Sequence, residues 1–82
     1  MTMDFGDAIR ALKQGSRVAR EGWNGKGMWL KLVPVCLVDA VAFPYKDLCS
    51  APWVGMKTAD RKFVPWLASQ TDMLAEDWVV VE

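Results

Sequence analysis

The fold is decided by the stretch MKTADRKFVPWLASQTDMLAEDW, which runs from Met56 to Trp78. It opens with a run, Lys62 to Trp66, that has the composition of a short strand. The residues before it, 59–61, read as a turn, so this run and the strand-like run Trp53–Thr58 form a predicted hairpin. Because proline donates no backbone hydrogen bond, Pro65 indicates that the second strand is an edge or ends there.

The second half of this stretch predicts a short capped helix, over residues 69–76, and a closing strand. Ser69 is a candidate N-cap, because its hydroxyl can accept a hydrogen bond from a backbone N–H of the first turn. Asp72 follows three residues later and places a carboxylate near the positive end of the helix dipole. Trp78 then leads into the apolar ending Val79–Val81, which predicts a strand over residues 77–81.

The N-terminal part of the chain predicts one helix, from Asp4 to Gln14. Its apolar residues occur at the i, i+3, i+4 and i+7 positions of one helical face: Phe5, Ala8, Ile9 and Leu12. Asp4 is a candidate N-cap, and Gly15 can supply a left-handed stop. This helix is therefore expected to pack one face on a core.

Residues 16–33 predict a hairpin with a glycine-rich tip. Ser16–Arg20 reads as a strand, Asn24-Gly25 is a turn signal, and Met28–Val33 alternates between two faces. The middle of the chain, from Val35 to Pro52, is apolar without a clean period. The sequence as a whole predicts a single α+β domain over residues 1–82. It would contain a mainly antiparallel sheet of about four to six strands, an N-terminal helix and a short late helix.

Size and composition favour a homo-oligomer. A chain of 82 residues buries only about 60–65% of its unfolded surface, so a monomer gains little stability from its core. Apolar residues make up 52% of the chain and include five tryptophans. Apolar surface in excess of one small core usually lies in an interface. The run Val35–Phe43 is a candidate for that interface.

Charge and residue usage exclude several functional classes. Ten basic and ten acidic residues give a net charge of zero, whereas DNA- and RNA-binding domains show a basic excess. The chain has no histidine and only two cysteines, Cys36 and Cys49, so we expect neither a metal site nor a structural disulfide. No secretory signal or membrane-spanning run is visible, which predicts a cytosolic protein without membrane contact.

Catalysis has little support in the sequence. General acid–base work at neutral pH usually draws on histidine, which is absent. Asp72, Glu76 and Asp77 are close enough in sequence for a carboxylate pair or a magnesium site. A capping Asp followed by a solvated helix end explains them more simply. The loop GWNGKG, residues 22–27, resembles a phosphate loop only superficially, because it lacks the full spacing and the Ser or Thr after the Lys.

Binding of a nucleotide-like ligand has better support. Tryptophan faces can stack on a base, and small polar side chains can recognise base edges and ribose hydroxyls. We expect three of the five tryptophans to be buried and one or two to face a ligand. Trp23 and Trp66 are the candidates for that role. The predicted ligand-binding residues are Trp23, Asn24, Lys26, Trp66, Ser69, Gln70, Thr71 and Asp72, and no catalytic or metal-binding residue is predicted.

The stretch 56–78, together with FGDA at residues 5–8 and VAREGWNGKGM at residues 18–28, resembles a known family. These are the Thoeris anti-defence sponges of the second type, small phage and prophage proteins. The resemblance covers residues 4–33 and 53–82. It implies a homo-oligomer, in particular a tetramer, that acts in the host cell cytoplasm and sequesters nucleotide signals made by bacterial immune systems. It also implies a glycine at the position that Arg61 occupies here.

The resemblance implies a ligand as well. This is a cyclic ADP-ribose isomer of the glycocyclic kind, with cyclic dinucleotides as a second ligand class, held in a pocket between subunits without any cofactor. From the residues alone, an alternative stays open: a structural or protein-inhibiting phage protein whose tryptophans anchor an interface. An enzyme that degrades the signal is a third and weaker hypothesis.

Overall fold

The computed structural model describes residues 1–23, 26–34 and 51–81. Its elements in chain order are helix α1 (Phe5–Lys13), strand β1 (Arg17–Arg20), a 3-10 turn (Glu21–Trp23), β2 (Trp29–Val33), β3 (Trp53–Lys57), β4 (Phe63–Pro65), helix α2 (Gln70–Leu74) and β5 (Trp78–Val81). The strands form one antiparallel sheet in the order β4-β3-β2-β1-β5. The predicted α+β class, both helices and the edge position of the Pro65 strand are confirmed.

Helix α1 begins and ends as its sequence predicts. The Asp4 side chain caps the helix by accepting a hydrogen bond from the Asp7 backbone. At the other end Gly15 has a φ of +92°, and the Gly15 and Ser16 amides donate to the carbonyls of Leu12 and Ala11. This left-handed glycine stop satisfies carbonyls that the end of the helix would otherwise leave unpaired.

The core lies between α1 and one face of the sheet. Ala8, Ala11 and Leu12 of the helix pack on Val18 of β1 and Leu30 of β2, which are neighbours in the sheet register. Trp78 of β5 completes this buried cluster. We call this side the helix face of the sheet. Alternation along the strands then puts Arg17, Ala19 and Trp29 on the opposite face.

Trp78 is the one tryptophan that is completely buried; Trp23, Trp29, Trp53 and Trp66 are half-buried. The expectation of three buried tryptophans is therefore wrong. The physical reason is the size of the core, because the narrow space beneath a three-turn helix holds one indole. The rings of Phe5, Trp23 and Trp66 cover Trp78 at centroid distances of 5.6, 5.6 and 6.0 Å.

The opposite face carries its own aromatic cluster. Phe63 lies between Trp29 and Trp53, at centroid distances of 6.4 and 5.8 Å. The Phe63 ring covers Gly55, where an added Cβ would come within 2.2 Å of it. The guanidinium of Arg17 stacks over Trp29 at 5.1 Å from the ring centroid, a favourable cation–π distance.

Several sequence predictions fall outside the described residues: the Asn24-Gly25 tip, both cysteines and the candidate interface Val35–Phe43. Within the part of the chain that the structure describes, no helix has the length and apolar character needed to cross a bilayer.

The β3–β4 turn contains Arg61, at the position where the family resemblance implies a glycine. Arg61 has a φ of +68° and is the one described residue other than glycine with a positive φ. The turn is closed by the Arg61 amide, which donates to the Thr58 carbonyl, and by the Thr58 amide, which donates to the Lys62 carbonyl. A left-handed backbone at an arginine is strained, whereas glycine adopts it freely.

We therefore expect Arg61→Gly to raise the free energy of unfolding by up to about 1 kcal/mol, because relief of the left-handed strain exceeds the added entropy of the unfolded chain. Ala59→Gly in the same turn is the matched control and should lower it, by about 0.4–1 kcal/mol. Urea unfolding of the three proteins measures both changes. A destabilised Arg61→Gly protein would contradict the strain at this position.

Candidate functional site

A cavity of about 470 Å³ lies where the opposite face of the sheet meets the β1–β2 connection. Ala19, Trp29, Val79 and Val81 form its apolar floor on neighbouring strands. Arg20 at the end of β1 also lines the cavity, and the connection supplies the rest, namely Glu21, Trp23, Lys26, Gly27 and Met28. The cavity thus combines two indoles with cationic side chains, which suits a ligand that has both an aromatic ring and an anionic group.

Trp23 is held in place at this cavity by the core. Its indole meets Trp78 edge-on, with an interplanar angle of 78°, while the same residue lines the cavity. Lys26 is exposed at the cavity. Between them, Asn24 lies outside the described residues. The structure therefore brings two of the predicted site residues, Trp23 and Lys26, to one cavity.

The other predicted residues lie around α2, on the helix face. Ser69 and Asp72 form a complete capping box: the Ser69 hydroxyl accepts from the Asp72 amide, and the Asp72 carboxylate accepts from the Ser69 amide, both at 3.0 Å. Gln70 and Thr71 are exposed in the same turn. Trp66 is half-buried against Phe5 and Trp78. None of these residues lines the cavity beside Trp23.

One arginine connects the two groups of residues. Arg20 donates from Nη1 to Asp72 Oδ1 and from Nε to Asp77 Oδ1, each at 2.9 Å. The exposed fractions of the Arg20, Asp72 and Asp77 side chains are 17%, 14% and 30%. We call these three residues the carboxylate clamp. Such partly buried pairs are less weakened by water than exposed ones are.

The clamp gives Asp72 and Asp77 a structural role. Asp72 caps α2, as predicted, and also binds Arg20, which was not predicted. Asp77 binds Arg20 and the Gly22 amide, so the expectation of a solvated helix end is wrong for this residue. Within residues 1–23, 26–34 and 51–81, no group of three or more His, Cys, Asp or Glu side chains could hold a metal ion.

The predicted ligand-binding residues do not include Arg20 and Trp29, which both line this cavity. The strand alternation did place Trp29 on the face opposite Leu30, which is the face of the cavity. For Arg20 the sequence indicates a positive charge next to the loop but not its two partners, which lie 52 and 57 residues away in the chain.

Comparison with known proteins finds matches over almost the whole chain. A family model described as Tad2-like, the Thoeris anti-defense 2-like domain, matches residues 3–81. A protein of Bacillus phage SP01 named Thoeris anti-defense 2 is 45% identical over 84 residues, covering 96% of this chain and 94% of the relative.

The chain belongs to the Tad2-like family. Membership supports a role in phage anti-defence, and it confirms the family resemblance of the sequence. The matched span includes the clamp residues and the cavity residues alike.

Electrostatics in the clamp favour the ionised carboxylates. The hydrogen bond from Arg20 lowers the pKa of Asp77 below its ordinary value; burial opposes this and the Gly22 amide reinforces it. Burial raises the pKa of Asp72, but hydrogen bonds from Ser69 and Arg20 together outweigh it, so the net pKa is also lowered. The same contacts raise the pKa of Arg20, which keeps its charge.

These shifts give the stability of this Tad2-like domain a defined pH dependence. A carboxylate with a lowered folded-state pKa stabilises the fold above the unfolded pKa, about 3.9 for Asp. That stabilisation is lost as the pH falls through the folded-state value.

We expect the difference in melting temperature between the wild type and Asp77→Asn to be largest near neutral pH and to shrink below about pH 4. The reason is that acid removes from the wild type the charge that the variant already lacks. Thermal unfolding followed by circular dichroism from about pH 7 to about pH 3 measures the difference. A difference that stays constant with pH would show that ionised Asp77 contributes nothing to stability.

Proposed function

We propose that the protein binds and sequesters a nucleotide-derived immune signal without cleaving it. The ligand is a glycocyclic ADP-ribose isomer, and cyclic dinucleotides are a second ligand class. The observation that carries this proposal is the cavity lined by Trp23, Trp29 and Lys26 in a chain of a Thoeris anti-defence family. By this proposal it acts in the cytoplasm of the infected host cell.

The size and lining of the cavity fit this ligand class. Small-molecule sites commonly enclose about 300–1,000 Å³ and combine apolar walls with a few polar groups. The cavity holds about 470 Å³. An adenine can stack on an indole, and a diphosphate needs only a local cation such as Lys26. A protein with no net charge can therefore hold a compact anion.

By this proposal the pocket is completed between subunits. Gln70 and Thr71 of α2 are exposed and could supply donors and acceptors to a ligand held by a neighbouring chain. Leu67 and Leu74 flank them with 91% and 79% of their surface exposed, and Met73 beside Leu74 is also exposed; contiguous apolar surface of this kind marks interaction sites. These features support a closed homo-oligomer, a tetramer by the family resemblance. In this oligomer, Trp66, Ser69 and Asp72 of the neighbouring chain would shape the wall of the pocket that faces the cavity.

Retention rather than turnover is supported by the state of the reactive groups. The Ser69 hydroxyl and the Asp72 carboxylate bond each other's backbone in the capping box. Asp72 and Asp77 are ion-paired to Arg20. The chain has no histidine, so a general base poised near neutral pH would have to come from a strongly shifted group.

Titration calorimetry with glycocyclic ADP-ribose isomers and with cyclic dinucleotides tests the proposal. A sponge must outcompete the immune effector, so we expect a dissociation constant at or below about 100 nM, which corresponds to roughly −9.5 kcal/mol. Absence of heat with both ligand classes would refute sequestration. A protein-inhibiting role would then replace it, with the exposed Leu67 and Leu74 as the contact surface.

Trp23→Ala should weaken binding by about 1–3 kcal/mol, the usual contribution of one stacked base. Trp53→Ala is the control, because Trp53 packs on Phe63 and does not line the cavity; its affinity should stay unchanged. Light scattering should return the same mass for both variants as for the wild type, well above the 9.2 kDa of one chain. Wild-type affinity in Trp23→Ala would remove this residue from the site.

A further inference from the structure

The carboxylate clamp lies between the two segments that the proposed site requires. Arg20 is the last residue of β1, and the 3-10 turn that ends in Trp23 follows it directly. Its two partners stand at the start of α2 and just before β5. The Arg20 guanidinium thus binds Asp77, next to β5, and Asp72, in α2, at the same time.

Asp77 holds the 3-10 turn Glu21–Trp23, which we call the Trp23 segment. Its Oδ1 accepts from Arg20 Nε, and its Oδ2 accepts from the Gly22 amide at 2.9 Å. The Asp77 carbonyl accepts from the Glu21 amide at 3.0 Å. Two consecutive backbone amides directly before Trp23 are therefore bound to this one residue. The approach is close, since a Cβ added at Gly22 would lie 3.1 Å from Asp77 Oδ2.

Asp72 holds the first turn of α2 in the same way. Its Oδ1 accepts from Arg20, its Oδ2 accepts from the Ser69 amide, and its carbonyl accepts from Trp78 Nε1 at 3.0 Å. The exposed residues Gln70 and Thr71 lie between Ser69 and Asp72 in sequence. Two of these hydrogen bonds, from Arg20 and from Trp78, join the turn that carries Gln70 and Thr71 to the rest of the domain, and the third closes the turn itself.

We propose that Arg20 is the positioning residue of the ligand site, which acts through Asp77 on the Trp23 segment and through Asp72 on α2. The planar guanidinium presents separate donors in a fixed geometry, so it can bind two carboxylates at once, whereas a lysine ammonium is a single point of charge. A segment held in its bound conformation before the ligand arrives pays less entropy on binding. This inference rests on the proposed function, since it assigns the clamp to that site.

The test compares Arg20→Lys and Asp77→Ala with the wild type by two measurements. The first is hydrogen exchange of the Gly22 amide by NMR without ligand, and the second is calorimetric affinity for a glycocyclic ADP-ribose isomer. In both variants the turn before Trp23 is no longer held, so the ligand has to order it on binding. We therefore expect both variants to lose at least about tenfold in affinity. Gly22 exchange should become at least about tenfold faster in both.

Matched controls use the exposed ion pair Arg10–Asp7 on α1. Arg10→Lys and Asp7→Ala make the same chemical changes away from the clamp, and their affinities should stay within about twofold of the wild type, as expected for an exposed pair. Asp77 does not line the cavity, so its variant separates positioning from direct contact with the ligand.

Three results would contradict the positioning role of Arg20 or the function on which it rests. Faster Gly22 exchange with unchanged affinity in Asp77→Ala would show that the clamp is structural only and would overturn the proposal. Loss of affinity in Arg20→Lys alone would mean that Arg20 contacts the ligand directly, which also overturns it. If the wild type binds no probe, the proposed function fails, and Gly22 exchange alone still shows whether the clamp holds the segment.

Discussion

The buried indole of Trp78 is the contact on which the rest of this small domain depends. It fills the space beneath α1, and its backbone is hydrogen-bonded to Met3 on one side and pairs with Arg20 of β1 on the other. Its ring supports Trp23 of the cavity and Trp66 before α2, and its Nε1 donates to the Asp72 carbonyl. Replacing it would therefore disturb the core, the cavity wall and the α2 cap together.

A core built around one indole leaves little apolar volume to stabilise the rest. The domain compensates with directional contacts at its margins. Around α2 these are the capping box and the carboxylate clamp, and around α1 they are an aspartate cap and a glycine stop. Because hydrogen bonds and ion pairs have defined geometry, these contacts also hold the segments of the proposed site in place more specifically than apolar packing could.

The elements of the fold could be predicted because their signals are local. A helical period fixed α1, Ser69 and Asp72 fixed the start of α2, and Pro65 marked the edge strand. The turn type around Arg61 was not predictable from the sequence, because a residue other than glycine seldom adopts the left-handed backbone that this turn has. The site was less accessible to sequence reasoning. Arg20 meets carboxylates far along the chain, and the exposure of a tryptophan depends on core volume, which no local pattern reports.

In the proposed function, the two faces of the sheet have different tasks. The helix face carries the core and the clamp, while the opposite face provides the cavity and a second aromatic cluster around Phe63. Stacking on Trp23 and Trp29 would supply affinity, and the exposed Lys26 would attract the anionic group. A binding protein of this kind needs no reactive group, only a rigid cavity and an abundance that matches the signal.

Recovery of the captured molecule tests this central claim most directly. The purified protein is incubated with a glycocyclic ADP-ribose isomer, freed of unbound ligand by gel filtration, denatured by heat, and the released material is identified by mass spectrometry. Sequestration predicts that the isomer stays with the protein through gel filtration and is released chemically intact. A hydrolysed product, or no retained ligand at all, would contradict it.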